Sequence, residues 1–125
     1  MGLSTSATTL SRNGMSDWVI QRVTAILLTL YTVGLVGYLV FAGDISYENW
    51  VALHSCLPMR IVNTLVVVSV VAHAWVGLWI VATDYLTPMA LGKAATGVRF
   101  VAQVIMILSL LSLALWGLTV IWRGY

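Results

Sequence analysis

Apolar positions in this chain gather into three long runs. They are Val19–Phe41, Ile61–Thr83 and Phe100–Trp122. A bilayer core takes ~20 consecutive apolar residues in a helix, and each run meets that length. Backbone polar groups in hydrocarbon must satisfy one another, so runs of this kind fold as helices. The strict alternation of a membrane β-barrel is absent. The pattern predicts an all-α integral membrane bundle of three transmembrane helices, over 19–41, 61–83 and 98–122. A polar segment, 1–18, precedes them. A first connection covers 42–60. It opens on Gly43-Asp44-Ile45-Ser46 and closes on Leu57-Pro58. Tyr47, Trp50, Val51 and His54 recur inside it at helical spacing, which predicts a short interfacial helix. A second connection, 84–97, is punctuated by Pro88, Gly92 and Gly97.

Composition agrees with lipid rather than water around the molecule. Charged residues make up 8% of the 125 and hydrophobic ones 61%, with a mean hydropathy of +1.00. Soluble domains carry about 25% charged residues. The net charge of +2 contains no basic run, so nucleic-acid binding is excluded. The Ser/Thr-rich N-terminus lacks the apolar stretch of a cleaved secretory signal. Gly2 fits a myristoylation pattern formally, but three spans make a lipid anchor redundant. Cys56 has no second cysteine to pair with. Neither an internal repeat nor a GxxxG motif within a span is present.

Lys and Arg distribution sets an orientation. Arg12, Arg22, Lys93 and Arg99 flank one side, against Arg60 and Arg123 on the other. The excess belongs in the cytoplasm. This predicts a cytoplasmic N-terminus and 84–97 loop, with the 42–60 connection and the C-terminus periplasmic. Trp18, Trp50, Trp122 and Tyr125 fall where interfacial aromatics belong. Lys93 and Arg99 also offer charge to anionic lipid headgroups.

Ionisable residues inside spans are costly, so they are the informative positions. His73 lies near the middle of the second span, in Ser69-Val70-Val71-Ala72-His73-Ala74-Trp75-Val76-Gly77. It can hydrogen-bond a neighbouring helix, or it can be an axial haem ligand. Ser69 and Gly77 flank it one turn away on the same face, and small residues there leave a groove that either role can use. No second histidine lies at that depth, so a six-coordinate haem needs a ligand from another subunit. His54 is expected to be solvated or interfacial on the opposite side.

Asp84 follows His73 by eleven residues. Eleven helical steps return to within about 20° of the same face, ~16 Å along the axis. Tyr85 is next. A phenol and a carboxylate at the bilayer edge can hold and protonate a quinone carbonyl; equally, they suit a helix end with an interfacial tyrosine. Asp84 opposes the helix macrodipole, so capping does not account for it. Arg22 can snorkel to headgroups or pair with a haem propionate or quinone. Asp17 can pair with Arg22 or stand on a proton path. Trp75 and Trp79, one turn apart, read as packing. Gln103, Ser109, Ser112 and Thr119 leave the third helix as packing and lipid-facing surface.

Ser11-Arg12-Asn13-Gly14 with Asp17, followed by Arg22-Val23-Thr24-Ala25-Ile26, resembles the start of the succinate dehydrogenase hydrophobic membrane anchor family. His73-Ala74-Trp75-Val76-Gly77-Leu78-Trp79, then Thr83-Asp84-Tyr85 and Pro88, is similar to that family's second-helix signature. The resemblance runs from Ser11 to Trp122. It implies a membrane subunit of respiratory complex II in the bacterial cell inner membrane, not catalytic on its own. Its implied partners are a cytochrome b subunit, an iron–sulfur subunit and a flavoprotein subunit. It implies that His73 supplies one of two axial ligands to a shared haem b, and so binds its iron. It further implies that Tyr85 hydrogen-bonds ubiquinone, with Asp84 beside that site and Arg22 near haem propionates and quinone. Electrons from succinate oxidation in the tricarboxylic acid cycle would then enter the quinone pool. Ser16 stands where relatives can carry a histidine, which removes any proton-path role for a histidine there and bears on Asp17.

Three other readings remain. The anchor of a fumarate reductase has the same architecture. A cofactor-free scaffold or assembly protein would not need the His73–Asp84–Tyr85 stripe. A proton-conducting subunit would need polar residues between His73 and Asp84, where the stripe passes Gly77 and Ile80–Val81.

Overall fold

The computed structural model describes residues 14–123. Arg12, the Gly2 pattern, the Ser11–Asn13 part of the N-terminal motif and Tyr125 lie outside the described residues. Within them the chain is helical almost throughout. The long helices are α1 (Gly14–Phe41), α3 (Leu57–Tyr85) and α5 (Ala95–Arg123), with α2 (Tyr47–Ser55) and α4 (Pro88–Leu91) in the connections. All three long helices are apolar and long enough to cross a membrane.

Each long helix extends beyond its apolar run, because helical hydrogen bonding does not stop where hydrophobicity does. Asp17 and Trp18 therefore sit inside the start of α1 rather than in a preceding segment. Pro58 lies in the first turn of α3. Proline is suited there, since its missing N–H would have had no intrahelical partner. Ser46 caps α2, its Oγ accepting from the Asn49 N–H at 3.2 Å. His54 is buried at 7% exposure, not solvated as its place in a connection predicts. Its Nδ1 donates to the Trp50 carbonyl at 3.1 Å and its ring lies 4.1 Å from that of Trp50.

α3 is the common neighbour, packing against α1 on one side and α5 on the other. The α1–α3 seam is polar. Asp17, Gln21, Thr24 and Tyr31 are spaced by four, three and seven residues, which puts them on one face. Opposite them on α3, Asn63 Oδ1 accepts from the Tyr31 hydroxyl at 2.8 Å, and His73 faces Gln21 and Thr24. The α3–α5 seam is mostly apolar, with Val76, Met106 and Leu110 buried. Its outer end is tied by Trp122 Nε1, which donates to Thr64 Oγ1 at 3.0 Å.

Gly117 makes the closest approach on that side. A Cβ there would meet Val67 Cγ2 at 3.1 Å and Cγ1 at 3.4 Å. Valine is stiff about χ1 and cannot swing aside. Gly117→Ala should therefore lower the thermal unfolding midpoint of the detergent-purified protein, by the ~1–3 kcal/mol typical of overpacking. Gly97→Ala, where the added methyl meets nothing within 4 Å, should leave the midpoint unchanged or slightly raised. Equal midpoints for the two variants would refute the close α3–α5 contact.

Candidate functional site

His73 lies near the middle of α3 and is half-buried against α1. Thr24 Oγ1 stands 3.1 Å from its Nδ1. That hydroxyl has one proton, and it is committed to the Ile20 carbonyl at 2.6 Å. Thr24 can then only accept from His73, so Nδ1 carries the ring proton and Nε2 keeps its lone pair. Gln21 Nε2 approaches that lone pair at 3.4 Å, at the long edge of hydrogen bonding. The result is an imidazole with one nitrogen oriented by a neighbour and the other weakly held. Metal-ligating histidines are supported in the same manner.

α1 and α3 hold several unmet hydrogen-bonding groups. Among the described residues, buried side-chain atoms without a partner are Gln21 Oε1, Trp75 Nε1, Trp79 Nε1 and Arg60 Nε. Gln21 lies beside His73, whereas Trp75 and Trp79 stand two and six residues further along α3 and on another face of it. Such orphans are rare in finished interiors. The indoles of Trp75 and Trp79 lie 5.9 Å apart at 30°.

A cavity of about 550 Å³ opens beside His73. Gln21, Arg22, Trp18, Asp17 and Val76 help to line it. Arg22 lies over the Trp18 ring, its guanidinium carbon 5.5 Å from the centroid, a cation–π geometry. Asp17 is buried at 6% exposure and borders this cavity as well as a second, apolar one of about 570 Å³ lined by α1, α3 and α5. The groove expected at Gly77 is shallow. Gln21 Nε2 lies 3.6 Å from where a Cβ would stand, and Ser69 is buried.

The donor set limits what could bind. Among the described residues no three His, Cys, Asp or Glu side chains come together, so a bare metal ion has no cage. A metal held through His73 must bring its remaining ligands with it, as a porphyrin does. One oriented imidazole, an adjacent cavity, and Arg22 at its edge fit a haem bound on one axial side. His54, packed on Trp50, is not available as the second ligand.

Asp84 and Tyr85 stand apart from that cavity. Both end α3 and both are exposed, Tyr85 at 73%. The structure thus brings together His73, Gln21, Thr24, Arg22 and Asp17, and turns Asp84 and Tyr85 outward. Gln21 and Thr24 were not singled out as site residues by sequence reasoning. Their signal was the helical spacing of polar residues through an apolar run.

Comparison with known proteins gives this arrangement a context. The model of the succinate dehydrogenase/fumarate reductase transmembrane subunit matches residues 3–115. The chain belongs to that family. A succinate dehydrogenase hydrophobic membrane anchor subunit from Coxiella burnetii (strain RSA 493 / Nine Mile phase I) is 34% identical over 112 residues, covering 90% of this chain and 91% of that protein. The family match takes in all five positions singled out above: Asp17, Arg22, His73, Asp84 and Tyr85. A transmembrane subunit of this family has reason to present unfinished surfaces, since it works inside a larger assembly. Tyr85, 73% exposed, lies on such a surface.

Proposed function

We propose that this chain is the hydrophobic membrane anchor of a succinate dehydrogenase in a bacterial inner membrane. It joins a cytochrome b subunit, and together they dock the iron–sulfur and flavoprotein subunits on the cytoplasmic side. The N-terminus and the loop after α3 face that side, as the four-to-two division of Lys and Arg across the membrane favours. The observation that carries the reading is the His73 imidazole, its Nδ1 oriented by Thr24 and its Nε2 met only by the long Gln21 contact.

His73 would hold the iron of haem b through Nε2, in company with the cytochrome b subunit. Arg22 would meet a propionate with its planar fork. Bound there, haem b would supply a one-electron centre. Thr24 keeps the imidazole in one tautomer and one orientation. Around the ring, α1 and α3 exclude water, which strengthens each polar contact inside.

Ubiquinone is the substrate at the cytoplasmic end of α3. Its reduction to the quinol takes two electrons and two protons. The electrons originate in succinate oxidation by the soluble subunits. Tyr85 donates its phenolic hydrogen bond to a quinone carbonyl and so orients the ring. Asp84, exposed beside it, exchanges protons with bulk water. The chain itself carries no hydride chemistry and has a single cysteine, Cys56, too few to hold an iron–sulfur cluster.

Purification of the complex through a tag on this chain tests the reading. Expected are a flavoprotein, an iron–sulfur protein, a second membrane subunit, a b-type band in the reduced-minus-oxidised spectrum, and succinate–quinone turnover. A purified complex with no flavoprotein would refute the anchor role. A turning-over complex with no b-type band would refute haem ligation alone. Turnover faster with quinol and fumarate than in the reverse sense would assign the chain to a fumarate reductase.

A further inference from the structure

α3 ends in a way its own sequence does not support. Its last turn contains no basic residue and does contain Asp84. The final carbonyls of a helix lack intrahelical partners and carry partial negative charge. An aspartate in that turn adds to the burden. The chain then leaves the helix at Leu86, whose φ is −87° and ψ 58°. Such an end would be expected to fray.

Arg99 closes it from another helix. It stands in the second turn of α5, half-buried. Its Nη2 donates to the Thr83 carbonyl at 3.1 Å and its Nε donates to the Leu86 carbonyl. One carbonyl lies inside the last turn of α3 and the other beyond its exit. Asp84 and Tyr85 are the two residues between them. The guanidinium therefore brackets the pair, and the bracket is rigid because the donors of a guanidinium are fixed in one plane. Thr87 continues the ordered path, its Oγ1 accepting from the Ala90 N–H at 3.3 Å at the start of α4.

We infer that Arg99 is a positioning residue for quinone reduction: its two hydrogen bonds hold the backbone on either side of Asp84 and Tyr85 and so aim the exposed phenol and carboxylate at the substrate. The inference rests on the quinone reading of Tyr85 given above. Tyr85 itself has little of this chain around it. Its placement must come from the backbone, and the backbone there is held by α5.

Arg99→Gln and Arg99→Lys in the assembled complex test this. Arg99→Gln should raise KM for quinone about tenfold, as expected for losing charge-assisted hydrogen bonds behind a substrate contact. Succinate oxidation by a soluble dye and the b-type spectrum should stay as in the wild type. Hydrogen–deuterium exchange should speed up locally at 84–91 and not in the body of α3. Arg99→Lys keeps the charge but has no planar fork, so it should rescue KM only in part. Full rescue by lysine would overturn the bracket in favour of a purely electrostatic role. Wild-type KM and exchange in Arg99→Gln would overturn it altogether. Loss of assembly in both variants would reduce Arg99 to a structural residue. If Tyr85→Phe leaves quinone turnover intact, the underlying quinone reading has failed; if Tyr85→Phe slows it and Arg99→Gln does not, only the positioning role has failed.

Discussion

His73→Ala should abolish the b-type band of the complex or shift it to a high-spin, five-coordinate form. An alanine offers no lone pair to iron, and His73 is the one histidine in the span (the other, His54, packs on Trp50). The substitution also removes the partner of Thr24 Oγ1 and of the Gln21 amide. Leaving buried polar groups unpaired costs ~1–3 kcal/mol, so some loss of α1–α3 stability is expected alongside the spectral change. Thr24→Val separates the two effects. It keeps His73 as a ligand and removes the acceptor for its Nδ1 proton. Loss of such a supporting contact typically weakens metal binding 10–100-fold. The band should therefore persist in Thr24→Val at lower haem occupancy or altered midpoint potential. An unchanged spectrum in His73→Ala would end the ligand assignment.

The second large effect concerns Tyr85→Phe. Succinate-dependent quinone reduction should slow by about tenfold, the cost of one hydrogen bond to the reacting carbonyl. Reduction of a soluble dye, which draws electrons before the membrane subunits, should continue at the wild-type rate. The substitution keeps the ring and loses one hydroxyl at a position 73% exposed. Its effect on stability should be within about 0.5 kcal/mol. That makes the split between the two activities interpretable. Parallel loss of both would mean a failure of assembly rather than of quinone binding.

Much of the fold was legible because lipid simplifies the rules. A chain in hydrocarbon has few options beyond the helix, so three apolar runs sufficed to predict α1, α3 and α5. Their ends were less legible. α1 starts at Gly14, ahead of its apolar run, because Asp17 and Gln21 face α3 and need no water. His54 reads as solvated or interfacial in the sequence, and the structure buries it against Trp50, one turn earlier on α2.

The site was legible in part for similar reasons. A histidine amid apolar residues attracts notice whatever its partners, so His73 stood out. Thr24 did not, since threonine is ordinary in a membrane span and its role depends on a proton already given to Ile20. Arg99 was read as a surface charge at the entrance of α5. Its partners are backbone carbonyls of Thr83 and Leu86, and a sequence does not display which carbonyls a helix end leaves free. The place of Asp84 and Tyr85 at a helix end on the bilayer edge was legible, and both are exposed there.

The polar α1–α3 seam has a further consequence for the uniqueness of the bundle. Lipid tails are as apolar as leucine, so burying apolar side chains does little to tell one helix pairing from another. A helix that presented only Val, Leu and Ile to α3 could slide along it at small cost. Moving α1 by one residue rotates its contact face by about 100°. Asp17, Gln21, Thr24 and Tyr31 would then turn from Asn63 and His73 into hydrocarbon, where polar groups are costly. These few side chains fix the register of the two helices, and the depth at which His73 sits in the membrane is set with it.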